Sequence, residues 1–368
     1  MTLRPRLLLL IPHLGGGGAE RVIALLAANL SPEKYDLHLG VVAHAQRKQT
    51  LDLPPHVKVH LAENRRVRYA APNLLHLTWR VRPQVIVSGM AHLNLLVLLL
   101  QPLMPRRTRI IVRQNATFSR ALATGSVPLW TRLLYRTQYP RAERILCQSP
   151  EMADDLSQSI PVKPDNLVVL PNPIDDAKIE QKISHGTSRW HGPGPHILSV
   201  GRLSHEKGID ALLRAISELR EAFPTMDVTI LGDGPQDSAL QSFSRALGLD
   251  DVVTFAGHVS DPAAYYRGAS LLVVSSRHEA MPNAMLEAAA GGLPVVATPA
   301  SPAIVRLLQN DPGAWLAADA SAQALAAALH NALGKLQPGE RFIHSWIEPF
   351  RLKHAISAYE SLFDSVVR

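Results

Sequence analysis

Residues 7–26 read LLLLIPHLGGGGAERVIALL: an unbroken apolar run, a glycine turn, and a stretch whose apolar residues recur at helical spacing. Leu7–Ile11 is too short for a helix and stops at Pro12, so it reads as a strand. Ala19–Leu30 follows with Val22, Ile23, Leu25, Leu26 and Leu30 on one face, which is a helix. A strand feeding a helix through glycines is the opening half of a strand–helix–strand unit, and it predicts a parallel sheet. Arg4 and Arg6 ahead of the apolar run imitate a secretory signal, but a five-residue run is better explained as a first strand.

The same rhythm runs outward from this stretch. Leu37–Val42, Val57–Leu61, Val85–Val87, Ile110–Val112, Ile145–Cys147 and Leu167–Leu170 read as strands, with helices near 72–80, 92–101, 128–138 and 150–157. Pro171, Pro173, Pro193 and Pro195 mark a linker region. The pattern restarts with Ile197–Val200 and a helix at 208–222. Strands Val228–Leu231, Val252–Phe255, Leu271–Ser275 and Pro294–Ala297 then alternate with helices at 236–247, 262–268 and 282–290. Helical pattern closes the chain over about 321–335 and about 343–365. The fold class is α/β: two doubly wound, Rossmann-like domains, with the carboxyl ends of their strands around a cleft where open α/β sheets bind ligands.

The chain has 368 residues, 46% hydrophobic and 19% charged, enough for two domains with buried cores and inconsistent with a disordered chain. A single cysteine, Cys147, excludes an intramolecular disulfide and a Cys-rich metal site, and suits a reducing compartment. The net charge of +7 is unevenly placed: residues 1–175 hold 22 Lys and Arg against 11 Asp and Glu, a net +11, and the remainder is net −4. A one-sided positive field suits an anionic membrane or an anionic acceptor as well as nucleic acid. No helix-turn-helix, zinc-finger or RNP aromatic pattern accompanies it, so nucleic acid is not expected as a partner. The most apolar window, Val85–Leu100, is interrupted by Ser88, Gly89, His92 and Asn94, so no membrane span is expected.

Three loops hold residues suited to anion and sugar chemistry. Gly15–Gly18, between strand and helix, lets backbone amides approach an anion where the helix dipole favours negative charge; a flexible turn is the alternative. It lacks the third glycine of the dinucleotide fingerprint, which disfavours an NAD enzyme, and the Gly-Lys-Ser/Thr of a Walker A loop. Gly201-Arg202-Leu203-Ser204-His205-Glu206-Lys207-Gly208 opens the second half in the same way. Its guanidinium fork and its ammonium can converge on one diphosphate, or the loop is simply solvated. The third loop runs from Ser275 to Glu287, with Glu279 before a helix and Glu287 inside it among Ala and Leu, where a carboxylate needs a partner. Two such carboxylates can accept hydrogen bonds from sugar hydroxyls; a helix N-terminal carboxylate and a rim Glu are the plainer alternative. A fourth region, Arg113-Gln114-Asn115 with His92 and Asn94, ends first-half elements. His92 is equally a satisfied residue at a helix start.

Gly17-Gly18-Ala19-Glu20, Gly201-Arg202 with Lys207-Gly208, and Glu279 with Glu287 together resemble the retaining glycosyltransferases of family 4, which have the GT-B fold. Pro171-Asn172-Pro173-Ile174-Asp175 resembles that family's linker strand end, Pro-Asn-Gly-Val-Asp, with Pro173 in place of Gly. The likeness covers nearly the full chain. It implies an acceptor-binding domain at 1–175, a nucleotide-sugar domain at 176–345, and a C-terminal helix at 346–368 that returns to the first domain. It further implies that Arg202 and Lys207 bind the donor diphosphate, Glu279 the donor sugar hydroxyls and Glu287 the ribose hydroxyls, with Arg202, Lys207 and Glu279 catalytic. Backbone amides of Gly16, Gly17, Gly18, Met281 and Asn283 would complete the phosphate cradle, and Gly257-His258-Val259 would hold the nucleobase. The Gly232-Asp233-Gly234-Pro235 turn is read as structural. His92, Arg113 and Asn115 are the acceptor-side candidates, at a place where this chain departs from the family's commonest form and fits best the polysaccharide and lipid-sugar enzymes with an Arg at this strand end.

The resemblance thus implies retaining transfer of a sugar from a nucleotide-sugar, UDP-sugars before GDP-sugars by family frequency. The acceptor would be a glycan or lipid-linked saccharide in lipopolysaccharide, polysaccharide or glycolipid biosynthesis. The alternative is a nucleotide-sugar epimerase of the same fold with no acceptor. No Asp-x-Asp occurs, so no metal and no cofactor are expected. The expected location is cytoplasmic, with a peripheral position on the inner face of the cytoplasmic membrane. Arg65, Arg66 and Arg68, Arg106, Arg107 and Arg109, and Arg132 and Arg136 form the candidate face toward an anionic membrane or phosphorylated glycolipid.

Overall fold

The computed structural model describes residues 4–13, 17–43, 53–62, 64, 66–119, 129–185, 187–259 and 261–367. The chain divides into two compact units, residues 1–173 with 352–368, and residues 174–351.

The first unit runs β1 (Arg6–Ile11), α1 (Gly18–Asn29), β2 (Asp36–Val41), β3 (Lys58–Leu61), α2 (Ala71–Val81), β4 (Val85–Ser88) and α3 (Ala91–Leu100). It continues with β5 (Arg109–Arg113), α4 (Leu129–Gln138), β6 (Arg144–Cys147), α5 (Pro150–Ser159) and β7 (Leu167–Val169). Its seven strands are all parallel, in the order β3-β2-β1-β4-β5-β6-β7. Leu7, Leu8, Leu9 and Leu10 are each fully buried, as a central parallel strand covered on both faces requires. Odd-numbered leucines of β1 pack with Val22, Ile23 and Leu26 of α1. On the other face α2, α3 and α4 lie side by side, α3 touching both neighbours.

The second unit runs α6 (Asp176–His185), β8 (His196–Val200), α7 (Ile209–Leu219), β9 (Asp227–Leu231), α8 (Asp237–Ala246) and β10 (Val253–Gly257). Then follow α9 (Ala263–Gly268), β11 (Leu271–Val274), α10 (Asn283–Ala290), β12 (Val295–Ala297), α11 (Pro302–Leu308), β13 (Ala314–Leu316) and α12 (Ala322–Lys335). Six parallel strands take the order β10-β9-β8-β11-β12-β13. The helix α6, the helix α11 and the edge strand β13 are additions to the elements read from the sequence. Ser301 caps α11 by accepting the Ile304 N–H at 3.4 Å, with Pro302 at its first position.

A 3-10 segment, Ser345–Phe350, stays with the second unit, Ile347 and Phe350 lying in its core. The last helix, α13 (Leu352–Val367), joins the first unit, where Tyr359, Leu362, Phe363 and Val366 pack with Leu7, Leu9 and Val87. Ile174 and Arg351, the two ends of the second unit, form a parallel bridge, with the Ile174 N–H donating to the Phe350 carbonyl at 2.9 Å.

In each sheet the chain winds outward from a central strand in both directions, so the strand order reverses between β1 and β4 and between β8 and β11. Loops leaving the carboxyl ends of two such strands diverge above and below the sheet, and the crevice between them receives ligands. The motif loops Gly201–Gly208 and Ser275–Glu287 leave β8 and β11. Gly17 and Gly18 open α1, the helix after β1, and His92 follows β4.

Candidate functional site

The β8 loop is held by close backbone contacts that only glycine allows. Gly232, at φ +134, brings the β9 turn so near that a Cβ would stand 1.8 Å from the Gly201 carbonyl oxygen. A Cβ on Gly234 would stand 2.2 Å from the Leu203 oxygen. The Leu203 N–H donates to Asp233 O at 2.9 Å and the Gln236 N–H to Leu203 O at 3.0 Å, which clamps the loop from below. Gly232 also donates its N–H to Gly257 O at 2.7 Å, so three strand-end loops share one backbone layer. This accounts physically for the structural reading of the Gly232–Pro235 turn.

Lys207 ends a 3-10 turn, His205–Lys207, and Gly208 breaks it at φ +62 before α7 begins. The β11 loop is latched onto this turn. Ser275 Oγ donates to Lys207 O at 2.9 Å, the Arg277 N–H donates to Glu206 O at 2.8 Å, and Arg277 Nη1 donates to His205 O at 2.9 Å. The Arg277 guanidinium also grips Asp210 of α7 through both its oxygens, at 2.7 and 2.6 Å. That hydrogen-bonded pair holds the Asp210 carboxyl below its ordinary range and raises Arg277.

Between these loops lies a small, partly open cavity of about 20 Å³, lined among others by Gly201, Lys207, Ser275, Ser276 and Pro282. The Lys207 ammonium donates to Glu279 Oε2, and Ser276 Oγ donates to the same oxygen at 3.3 Å. Two side chains read from separate motifs therefore meet directly. Arg202 is exposed, and its guanidinium has no hydrogen bond or ion pair among the described residues. Met281 is buried in the core beneath the loop, and Asn283 is the first residue of α10, whose N-terminal end carries the positive pole of the helix dipole. Glu287 on α10 accepts a hydrogen bond at 2.9 Å from the hydroxyl of Tyr266, which is 1% exposed. Gly257 takes φ +67 at the β10 end, His258 beside it is exposed, and Val259 packs against the core.

In the first unit Gly17 caps α1, and Gly18 is that helix's first residue. Glu20 folds back so closely that a Cβ on Gly17 would stand 2.4 Å from its Oε2. His13 Nε2 lies 3.7 Å from the other oxygen of Glu20. Gly16 lies outside the described residues, as does Arg65. Desolvation lowers the His92 pKa, with nearby His13 adding to the effect and Glu20 opposing it. Arg113 is only 1% exposed, and burial pushes its pKa down. Its guanidinium donates to the side-chain oxygens of Asn115 and of Asn172, the asparagine of the linker motif. Asn115 in turn donates to the Gly89 carbonyl and accepts from Gln148 at 3.2 Å. Arg113 and Asn115 thus form one buried network, which ties the strand end to the linker rather than presenting a free guanidinium.

Sequence reasoning missed Tyr266, Ser276 and the Arg277–Asp210 pair. Tyr266 sits in a helix of six residues that carries no motif. Arg277 and Asp210 have no sequence pattern that links them. Glu287 carried the only available signal: a carboxylate on an apolar helix needs a partner. Among the described residues no three His, Cys, Asp or Glu side chains gather to hold a metal ion. Cys147 is buried, its thiol pushed up to about 12 by desolvation, and is chemically quiet.

Two doubly wound units, each with a glycine-bearing loop and a helix start at its switch point, define an α/β enzyme of GT-B architecture. The chain belongs to the family-4 glycosyltransferases: the family model described as Glycosyltransferase Family 4 matches residues 16–178, and that described as Glycosyl transferases group 1 matches residues 194–335. It is 27% identical, over 78% of its length and 79% of the other's, to the N-acetylgalactosamine-N,N'-diacetylbacillosaminyl-diphospho-undecaprenol 4-alpha-N-acetylgalactosaminyltransferase of Campylobacter jejuni. An uncharacterized glycosyltransferase of Haemophilus influenzae is 34% identical over 33% of this chain, a match that spans about a third of that relative's length. The crystal structure of Anabaena HepE in complex with UDP and glucose superposes with a TM-score of 0.81 at 17% identity, over 98% of this chain and 100% of that one. The protein is accordingly a glycosyltransferase with the GT-B fold.

Proposed function

We propose that this enzyme transfers a sugar, with retention of anomeric configuration, from a UDP-sugar to a lipid-linked saccharide in cell-surface glycan or glycolipid assembly. The observation that carries the reading is the direct pairing of Lys207 with Glu279 across the β8 and β11 loops. Cleavage of a sugar–diphosphate bond puts negative charge on the leaving oxygen, and Lys207, Arg202 and the opening amides of α10 supply positive charge at one place. Glu279, delivered by the same contact, accepts hydrogen bonds from sugar hydroxyls, and Glu287, steadied by Tyr266, accepts those of the ribose. With the cations in that role the reaction needs no divalent metal, and EDTA should leave turnover unchanged; inhibition reversed by Mg²⁺ or Mn²⁺ would overturn this. The UDP assignment draws on the UDP complex of HepE, and the lipid-linked acceptor on the undecaprenol-linked substrate in the name of the Campylobacter relative. Such an acceptor places the enzyme peripherally on the inner face of the cytoplasmic membrane. Among the described residues no helix is long and apolar enough to cross a membrane.

The test is a calorimetric screen of UDP-, GDP- and ADP-sugars, followed by transfer to polyprenyl-diphosphate saccharides with the product anomer read by NMR. Selective binding of a UDP-sugar and a product anomer matching the donor are expected. An inverted product overturns retention, and selective GDP-sugar binding overturns the donor. Incubation with donor alone yields no epimer; a released epimerised sugar overturns the transferase mechanism in favour of an epimerase.

A further inference from the structure

We infer that the outer side of the α2–α3–α4 layer of the first unit is a docking surface for an anionic membrane. The inference rests on the reading that the acceptor is lipid-borne, and it assigns the surface that reaches it. Exposed large apolar side chains concentrate in this layer: Trp79 on α2 (52% exposed), Leu99 on α3, Leu103 in the turn after it, and Trp130 (65%) and Leu133 (63%) on α4. The helices over the opposite face of the sheet, α1 and α13, expose no large apolar side chain among the described residues. The layer is continuous, since α3 touches both α2 and α4, and the Trp79 indole N–H donates to Leu103 O at 2.9 Å. Soluble monomers seldom display two tryptophans and several leucines in such a layer without a use for them.

Cations interleave with the apolar anchors. Arg132 and Arg136 flank Leu133 on α4, Arg80 and Arg82 follow Trp79, and Arg106 and Arg107 follow Leu103. All six are exposed and none is in an ion pair among the described residues, though Arg80 also hydrogen-bonds the His60 ring at 2.6 Å. Tryptophan and leucine at this level enter the boundary between headgroups and acyl chains, while guanidinium forks bond lipid phosphates and add electrostatic attraction to anionic lipid. Charge complementarity selects this occupant. A second copy of the chain would set like charge against like charge, because residues 1–175 carry a net +11.

Cosedimentation of the full chain with phosphatidylcholine vesicles, with and without phosphatidylglycerol, tests the inference. Binding only to the anionic vesicles, weakened by salt, is expected. The pair Arg132→Ala and Arg136→Ala, and separately the pair Trp130→Glu and Leu133→Glu, should each reduce vesicle partition about tenfold or more. Both variants should keep the wild-type melting temperature and UDP-sugar affinity, since the donor loops belong to the other unit. No anionic-vesicle binding by the wild type overturns the surface, as does equal binding by both variants. A dimer that either variant dissociates, with vesicle binding unaltered, also overturns it. Donor binding on the same samples tests the transferase reading separately, so the two can fail independently.

Discussion

A carboxylate on an apolar helix must be held, and at Glu287 a buried phenol helps to hold it. Tyr266→Phe removes the 2.9 Å hydrogen bond and leaves the ring in place. A neutral-to-charged hydrogen bond of this kind contributes about 1.5–3 kcal/mol, so the KM for the nucleotide-sugar should rise about tenfold or more with kcat little changed. Unaltered KM in steady-state assays would show that Glu287 needs no positioning. Lys207 and Glu279 make a sharper case because each is the other's partner. Lys207→Ala and Glu279→Ala should each reduce kcat by about 10²–10³-fold, as loss of one transition-state contact does. The double variant should fall well short of the product of the two losses. Multiplicative losses in that cycle would mean that the two side chains act separately. Arg202 came from the same motif, yet it is exposed and its guanidinium has no hydrogen bond or ion pair among the described residues, so its single variant tests the proposed diphosphate contact apart from positioning.

At the scale of elements, the site depends on how closely two loops approach. Gly208 lies at φ +62, and a Cβ there would stand 2.1 Å from the Ser275 carbonyl oxygen. Gly248 has a similar φ of +68, but the nearest atom to its Cβ position is the end of Arg220 at 3.8 Å. Gly248→Ala therefore bears only the left-handed strain, about 1 kcal/mol, whereas Gly208→Ala must also push the β11 loop away. Thermal unfolding and UDP-sugar calorimetry should show a small Tm loss with intact binding for the first, and a larger Tm loss with weakened binding for the second. Equal effects would mean that the β8 and β11 loops are not packed as described. A second element-scale consequence concerns β2 and β3. His38 Nδ1 and His60 Nε2 are 2.8 Å apart, with the rings stacked and with Arg80, Lys58 and Asp36 around them. Desolvation, then His38 and the nearby cations, push His60 down to about 4, and desolvation also lowers His38. The unfolded chain binds these protons near pH 6.5, so their contribution is fully present above that pH. It is lost as the pH falls toward about 4. Melting temperature should drop across this window, and His60→Gln should flatten the drop; identical profiles for both proteins would remove the histidine pair as the cause.

At the scale of the whole molecule, what was legible in the sequence divides along a physical line. Strand, glycine turn and helix at residues 7–26 fix a parallel sheet through local chemistry alone, and the two motif loops of the second half could be placed because both follow short apolar strands. Side-chain partnerships between distant segments leave no local trace, which is why Tyr266 with Glu287 and Arg277 with Asp210 went unread. Arg113 shows the limit from the other side: its motif position was visible, but its burial among Asn115, Asn172 and Tyr359 depends on the linker and on α13 arriving at one place. The end of the chain has the same character, because helical periodicity from 343 onward cannot say where the 3-10 segment in one unit's core gives way to a helix in the other's. That division makes a prediction. Phe363 on α13 is fully buried against β1 and β4 of the first unit, where it meets Tyr35 edge-on at 6.2 Å between ring centroids. Phe363→Ala should cost about 3–5 kcal/mol, as truncation of a core phenylalanine does. The loss should be local to one unit. Hydrogen exchange should accelerate in Leu7–Ile11 and Val85–Ser88, whereas Ile197–Val200 and Leu271–Val274 keep their protection. Accelerated exchange in the second unit's strands, or none in the first, would show that the last helix does not stabilise the sheet it covers.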